Sequence, residues 1–377
     1  MNKRRISRVI ENMRAENLSQ IIVSAPESVY YLTGTFVSPG ERMLALLLKD
    51  DGSITLFANR LFALTGNTSV PLVEFDDTDD PIALLAPSIL PGKIGVDKFW
   101  PSQFTLRLMA ARADVQPVLG SRPVDLARMM KDEEELRLMR TASRMNDEIT
   151  RRTIEGLREG MTELEAQAEL IYCMYKNGAQ GLSFDPIVVS GPNTSLPHGV
   201  ASFEPLVCFG PNCAEPHHAS DNTRLKPGDS VIIDVGALHK RYASDMTRTV
   251  FWKSASDEQK KVHELVTRAN AAGRAAVRPG VPMSEFDKAA RSVIEEAGYG
   301  EYFIHRTGHG IGLDVHEPPD NSATNQTIAQ PGMTFSVEPG VYLPGKFGVR
   351  VEDLVAVTET GCETLNALDH DFRILGN

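Results

Sequence analysis

The sequence predicts an α+β fold in two domains, a smaller α/β domain over residues 1–125 and a larger domain over 126–377. Three observations carry this expectation. A chain of 377 residues suggests two domains, on a prior of roughly 150 residues each. The first part alternates short strand-like runs with helical stretches, separated by Gly, Pro and Asp clusters. The second part runs in blocks: two helices, a β region, two more helices and a final β region. That is the order of an α+β domain rather than a doubly wound sheet.

Each element follows from its pattern. Ile6, Val9, Ile10 and Met13 fall on one face of a helix over 6–16. Gln20–Ser24, Met43–Leu48, Ile54–Ala58 and Lys93–Val96 read as strands. The domain boundary is expected near Arg122–Asp125. A charged helical segment then runs from Val124 to about Arg158, and its Met-rich face reads as core packing. Gly160 breaks it, and Thr162-x-x-Glu165 reads as a capping box for a helix over Glu163–Asn177. From Phe184 to about Phe251 the chain is β-rich. Helices are expected over Asp257–Arg278 and Ser284–Ala297, with Gly280 and Gly298 as stops, and a last β region over Thr334–Val357.

Charge is spread unevenly. The chain carries 39 Lys+Arg against 50 Asp+Glu, a net charge of −11. Residues 1–125 hold 13 basic and 14 acidic side chains, and residues 126–377 hold 26 and 36, so the second part carries −10 of that charge. All nine histidines also lie there, from His198 onward. An acidic balance argues against a nucleic-acid partner, which normally meets a basic patch. Apolar stretches such as Met43–Leu48 and Ile82–Ala86 are far short of the ~20 residues of a membrane span. No apolar core of a signal peptide follows Lys3, Arg4 and Arg5, and four scattered cysteines make no disulfide framework. The expectation is a cytoplasmic protein with reduced thiols and neither a membrane nor a nucleic-acid partner.

A short repeat stands at an offset of 19 residues: Phe184 to His198 matches Phe203 to His217 in its Phe, Pro, Gly, Pro, Asn, Pro and His positions. It reads as one strand-turn unit written twice. It leaves two histidines, His198 and His217, as alternatives for any role at a site. Cys208, Cys213 and His217 have zinc-site residue types, but the other copy carries Val189 and Thr194 at the cysteine positions, so no structural zinc is assigned.

The chemistry concentrates in four carboxylates. Two strand-like runs flank His239-Lys240, and a hairpin turning there sets Asp234 directly opposite Asp245. A second hairpin, centred on Gly345, sets Glu338 opposite Glu352. Like charges facing each other on a sheet repel, and burial raises that cost unless protons or cations neutralise them. Two such pairs point to shared cations. His309, flanked by Gly308, Gly310 and Gly312, supplies an imidazole where glycines permit close backbone approach. Four carboxylates carry four negative charges, matched by two divalent ions. Oxygen-rich ligands with one imidazole suit Mn²⁺, Co²⁺ or Fe²⁺. Paired metals acidify a shared water and polarise a carbonyl, so the class of reaction is metal-assisted hydrolysis.

Taken together, Ile233-Asp-Val-Gly, Ser244-Asp-Met-Thr-Arg-Thr, His305-Arg-Thr-Gly-His309-Gly-Ile-Gly-Leu-Asp-Val-His316-Glu, Val337-Glu-Pro-Gly and Gly348-Val-Arg350-Val-Glu352-Asp resemble the pita-bread metallopeptidases. The likeness is to the Xaa-Pro dipeptidase (prolidase) and aminopeptidase P branch. Tyr30-Tyr-Leu-Thr-Gly34 and Lys131-Asp-Glu-Glu-Glu-Leu extend it over most of the chain. The resemblance implies a C-terminal pita-bread (creatinase/aminopeptidase) domain behind a creatinase-like N-terminal domain. It implies Asp234, Asp245, His309, Glu338 and Glu352 as metal ligands, with Asp245 and Glu352 bridging two divalent ions, most often Mn²⁺, with Co²⁺, Fe²⁺ or Zn²⁺ as options. It further implies Glu338, His316 and His217 as catalytic groups, and His217, His305, His316 and Arg350 around a short peptide substrate. His217 fits the layout better than His198, standing 17 residues before Asp234 rather than 36. A hydroxide bridging the two ions would attack the Xaa-Pro bond, in a protein expected to be a homodimer. A creatinase-like C–N hydrolase or a silent peptide-binding module would have lost ligands that stand intact here, whereas a metal-dependent lyase would keep them.

Overall fold

The computed structural model describes residues 2–183, 189–190, 206–216, 218 and 220–376. The chain divides into two compact units, Met1–Arg128 and Met129–Asn377.

The first unit is a mixed six-stranded sheet with helices around it. In chain order it comprises α1 (Lys3–Ala15), β1 (Gln20–Val23), α2 (Pro26–Thr33), β2 (Ala45–Lys49), β3 (Ile54–Asn59), β4 (Leu72–Phe75), α3 (Pro81–Leu85), β5 (Gly92–Val96), α4 (Ser102–Ala111), β6 (Val115–Leu119) and α5 (Arg122–Met129). The strand order is β4-β3-β2-β1-β5-β6. The four strands read from the sequence are present, and α1 buries Ile6, Val9, Ile10 and Met13 as its spacing requires. Two edge strands, β4 and β6, carry no comparable apolar run. β6 contains Pro117, which a sheet tolerates at its edge.

The second unit opens with α6 (Glu133–Gly156) and α7 (Glu163–Lys176). The single helix expected over 124–158 is therefore two. Asp132 ends the run: its side chain accepts from Glu135 N at 3.0 Å and Glu135 returns a bond to Asp132 N at 2.8 Å, a capping box that starts a new helix. The capping box of Thr162 and Glu165 forms as its spacing indicates. There follow β7 (Val189–Ser190), β8 (Leu206–Phe209), β9 (Ser230–Val235), β10 (Leu238–His239), β11 (Tyr242–Ala243), β12 (Met246–Trp252), α8 (Asp257–Ala276) and α9 (Met283–Glu296). The chain ends with β13 (Gly308–Gly310), β14 (Glu317–Asn321), β15 (Thr334–Val337), β16 (Gly340–Leu343), β17 (Phe347–Arg350), β18 (Asp353–Val357), β19 (Cys362–Thr364) and β20 (Ile374–Leu375).

Among the described residues these strands form two five-stranded sheets, β20-β12-β9-β8-β7 and β14-β13-β15-β18-β19, and two two-stranded ribbons, β10-β11 and β16-β17. Helices α6 and α7 bury Ile149, Leu170 and Met174 against Phe209, Ile233 and Trp252 of the first sheet. Helix α8 packs Val262, Leu265 and Val266 against Val341 and Val349 of the ribbon β16-β17. The repeat has a direct structural expression. β7 and β8 are parallel neighbours, and Val189 pairs with Cys208 and Ser190 with Phe209, so equivalent positions of the two copies stand side by side.

The two hairpins differ in how they meet expectation. In the second, Gly340 pairs with Arg350, and the same register runs through β15 and β18, where Val337 pairs with Asp353. Glu338 and Glu352 fall in the gap between these two ladders, in the expected register. In the first hairpin, the turn is Lys240-Arg241 rather than His239-Lys240. Both turn residues have positive φ, 47° and 72°, as a two-residue primed turn demands. The register moves by two residues. Thr247, not Asp245, stands opposite Asp234. An even shift keeps the face, so Asp245 remains on the side of Asp234, one step along.

Candidate metal centre

Two hairpins and strand β13 contribute the side chains of the site. Asp234 projects from β9, Asp245 immediately precedes β12, and Glu338 and Glu352 lie between the ladders of the second hairpin. His309 sits at the middle of β13. Ligand atoms of Asp245, His309 and Glu352 lie within 4.8 Å of one another, the one such cluster among the described residues. His309 Nε2 is 3.5 Å from Asp245 Oδ2 and 3.4 Å from Glu338 Oε1. Asp245 and Glu352 are 4% and 1% exposed.

Interrupting a ladder leaves carbonyls to satisfy, and buried asparagines supply the donors. Asn270 of α8 donates to Val337 O at 2.8 Å, beside Glu338. Asn146 of α6 donates to Val235 O at 2.6 Å, beside Asp234. Ser336 links two of these residues: its Oγ accepts from His309 N at 3.0 Å and donates to Glu338 Oε1 at 3.0 Å. Thr247 Oγ1 donates to Glu352 Oε2 at 2.7 Å and accepts from Arg350 Nε at 3.1 Å. Sequence reasoning missed Asn146, Asn270, Ser336 and Thr247 in these roles; Thr247 lay within the Ser-Asp-Met-Thr-Arg-Thr motif, where its position two after Asp245 was the available signal.

Electrostatics follow from packing carboxylates together. Burial, then the charges of Glu352, Asp234 and Glu338, push the Asp245 carboxyl well above its usual range. Burial and the neighbouring charges of Glu338 and Asp234 do the same to Glu352. Glu338 rises to about 7, again mainly by burial, with Arg350 opposing. Burial, then the nearby His316, hold His309 well below the ordinary imidazole value, so its ring is neutral at pH 7. Asp234 Oδ1, Asp245 Oδ1 and Glu352 Oε1 are buried and meet no hydrogen-bond donor among the described residues. Acceptor-only oxygens converging without donors suit cations, and this donor set fits divalent metal ions.

The remaining expected site residues divide. The His316 ring lies 4.1 Å from that of His309, centroid to centroid, in an edge-on arrangement. Arg350 is buried behind Asp234 and pairs with its Oδ2. Its Nη1 donates to Tyr342 OH at 3.0 Å, and His305 Nε2 is 2.8 Å from that same oxygen. His305 and Arg350 thus join through Tyr342, which the sequence reading did not single out. His198 and His217 lie outside the described residues.

Inward carboxylates from two hairpins and a neutral imidazole from β13 form an arrangement that fits divalent cations. The model of metallopeptidase family M24 matches residues 137–202 and 200–359, and that of the creatinase/prolidase N-terminal domain matches residues 5–130. An Xaa-Pro dipeptidase of Pyrococcus furiosus is 32% identical over 374 residues, covering 98% of this chain and 99% of the relative. The crystal structure of a prolidase from Thermococcus sibiricus matches at a TM-score of 0.90 and 34% identity, covering 100% of both chains. A dipeptidase structure from Mycobacterium ulcerans matches at a TM-score of 0.87 and 32% identity, covering 98% of this chain and 97% of the other. The chain belongs to the metallopeptidase family M24 and carries a creatinase/prolidase N-terminal domain. Membership implies divalent metal ions, and no described helix is long and apolar enough to cross a membrane.

Proposed function

We propose that the protein hydrolyses Xaa-Pro bonds at the N-terminus of dipeptides or short peptides, using two divalent cations held by Asp234, Asp245, His309, Glu338 and Glu352. The observation that carries this reading is the set of buried carboxylate oxygens that face one another and meet no donor among the described residues. The names of the relatives support the choice of substrate.

Bound cations supply the charge that balances four carboxylates and the Lewis acidity that polarises a peptide carbonyl. The chain's own groups then divide the work. Glu338 accepts the proton of the attacking water and passes it to the prolyl nitrogen, a tertiary amide nitrogen that leaves only when protonated. His316, exposed beside His309, donates to the developing oxyanion. His305 and Arg350, with Tyr342, form the wall behind Asp234. His217 is assigned to the substrate from its motif position alone. Mn²⁺ is taken as the working ion on donor chemistry, and a cytoplasmic homodimer as the assembly.

The deciding assay is hydrolysis of an Xaa-Pro dipeptide and an Xaa-Pro-Yaa tripeptide by enzyme reconstituted with Mn²⁺, its metal content measured. Cleavage of either supports the reading, and their ratio separates dipeptidase from aminopeptidase. Cleavage of neither by metal-loaded enzyme overturns it. Light scattering tests the dimer.

A further inference from the structure

Lys131 and Glu317 form an ion pair at 2.6 Å whose side chains are 1% and 5% exposed. The chemistry assigned above uses neither residue. Taking two charges out of water is costly, and such a pair adds little net stability over apolar residues of similar size. Its value lies in what it fixes.

Both partners are held tightly. Lys131 N donates to Gly332 O at 2.9 Å, and Gly332 N donates to Val357 O at 2.9 Å, so the lysine is anchored at the end of β18. Glu317 opens β14, paired with Gly310 of β13. A side chain at Gly310 would bring its Cβ to 2.6 Å from Pro318 C. A Cβ at Gly312 would overlap Glu317 Oε1 and sit 2.8 Å from Lys131 Cε. The glycines on the C-terminal side of His309 are therefore the space that Glu317 and its lysine occupy. His316 is the residue before Glu317, and its ring stands edge-on to His309 at 4.1 Å.

We propose that Lys131 is a positioning residue for His316. Its ammonium holds the Glu317 carboxylate, and that fixes the backbone from which the His316 imidazole meets His309. The consequence for turnover rests on the oxyanion role given to His316 above.

The test uses full-length enzyme and three readouts: kcat and KM and metal stoichiometry of the Mn²⁺-loaded form, and the ¹⁵N-imidazole NMR signal of His316 in the diamagnetic Zn²⁺-loaded form, identified by its loss in His316→Gln. Lys131→Met is expected to lower kcat on the order of 10²-fold, with stoichiometry unchanged and the His316 signal displaced. In the His316→Gln background Lys131→Met should bring no further loss of kcat, because both changes act through one group. Lys131→Arg, which keeps the ion pair, should recover most of the activity. An unmoved His316 signal, losses that multiply across the two sites, or a fall in metal stoichiometry would each overturn the proposal. If His316→Gln alone leaves kcat intact, the oxyanion role fails, and the NMR signal by itself decides on Lys131. Should Lys131→Met not fold, Glu317→Asp shortens the same link by one methylene; a displaced His316 signal supports the proposal and an unmoved one overturns it.

Discussion

Thr247 stands directly opposite Asp234 in the β9–β12 ladder and gives its hydroxyl to Glu352 Oε2 at 2.7 Å. One side chain thereby joins a carboxylate-bearing strand of the first hairpin to a carboxylate of the second. Thr247→Val keeps the shape and removes the donor. Metal affinity is expected to fall by roughly 10- to 100-fold, the usual effect of losing a hydrogen bond to a ligand. Calorimetric titration with Mn²⁺ checks it; unchanged affinity would mean that the hydroxyl does not orient Glu352.

Glu338 has two tasks in the proposed reaction, and Glu338→Gln separates them through measured metal content. With cations still bound, kcat should fall by about 10²- to 10⁴-fold, the range expected for a lost general acid-base. Full activity in a metal-loaded Glu338→Gln enzyme would remove Glu338 from the proton path.

Chelation should destabilise the second unit, because the repulsion among four carboxylates returns. At a free cation concentration ~100-fold above Kd, binding contributes about 3 kcal/mol. For a unit of this size that corresponds to roughly 5–10 °C in Tm. Scanning fluorimetry before and after chelation, on a sample of known metal content, measures the shift. A melt that does not move would contradict cation binding at these carboxylates.

His263 sets an acid-side dependence remote from the metal centre. It is 3% exposed and packs edge-on against the rings of Phe251 and Phe372. Burial lowers its imidazole from 6.5 to about 4, with the Thr249 backbone opposing, His370 adding to the fall and Glu264 opposing it. The unfolded chain takes this proton first. The contribution is therefore complete above pH 6.5 and is lost as pH falls towards 4, by at most about 3 kcal/mol. His263→Gln should reduce the difference in urea stability between pH 7 and pH 4.5 relative to the parent protein. Equal pH dependence in the two would exclude His263 as the titrating group.

Local signals governed what could be read from the sequence. Gly345 adopts φ 72° at the turn between two largely apolar runs, so the second hairpin carried its own register. Lys240 and Arg241 adopt positive φ without glycine or asparagine, and nothing in their chemistry announces that, so the first hairpin was expected to turn one residue early. The capping box at Asp132 was visible as Asp-x-x-Glu, yet the charged helical pattern ran through it. The carboxylates that the fold brings together were legible because mutual repulsion on one face demands an explanation. Asn146 and Asn270 were not, because their partners lie 89 and 67 residues away and only the folded chain brings them together.

The two broken hairpins also bear on the order of assembly. Each carries two carboxylates within a short loop, Asp234 with Asp245 and Glu338 with Glu352, and short loops close at little entropic cost. The links between the hairpins, Thr247 to Glu352 and Arg350 to Asp234, span 105 and 116 residues. Half-sites are thus local and the whole site is distant, so cation binding at the proposed centre would mark the docking of one hairpin on the other rather than the birth of either. In refolding, Mn²⁺ should leave the fast formation of strands unaltered and act on the late docking phase alone, which stopped-flow traces with and without the ion would resolve.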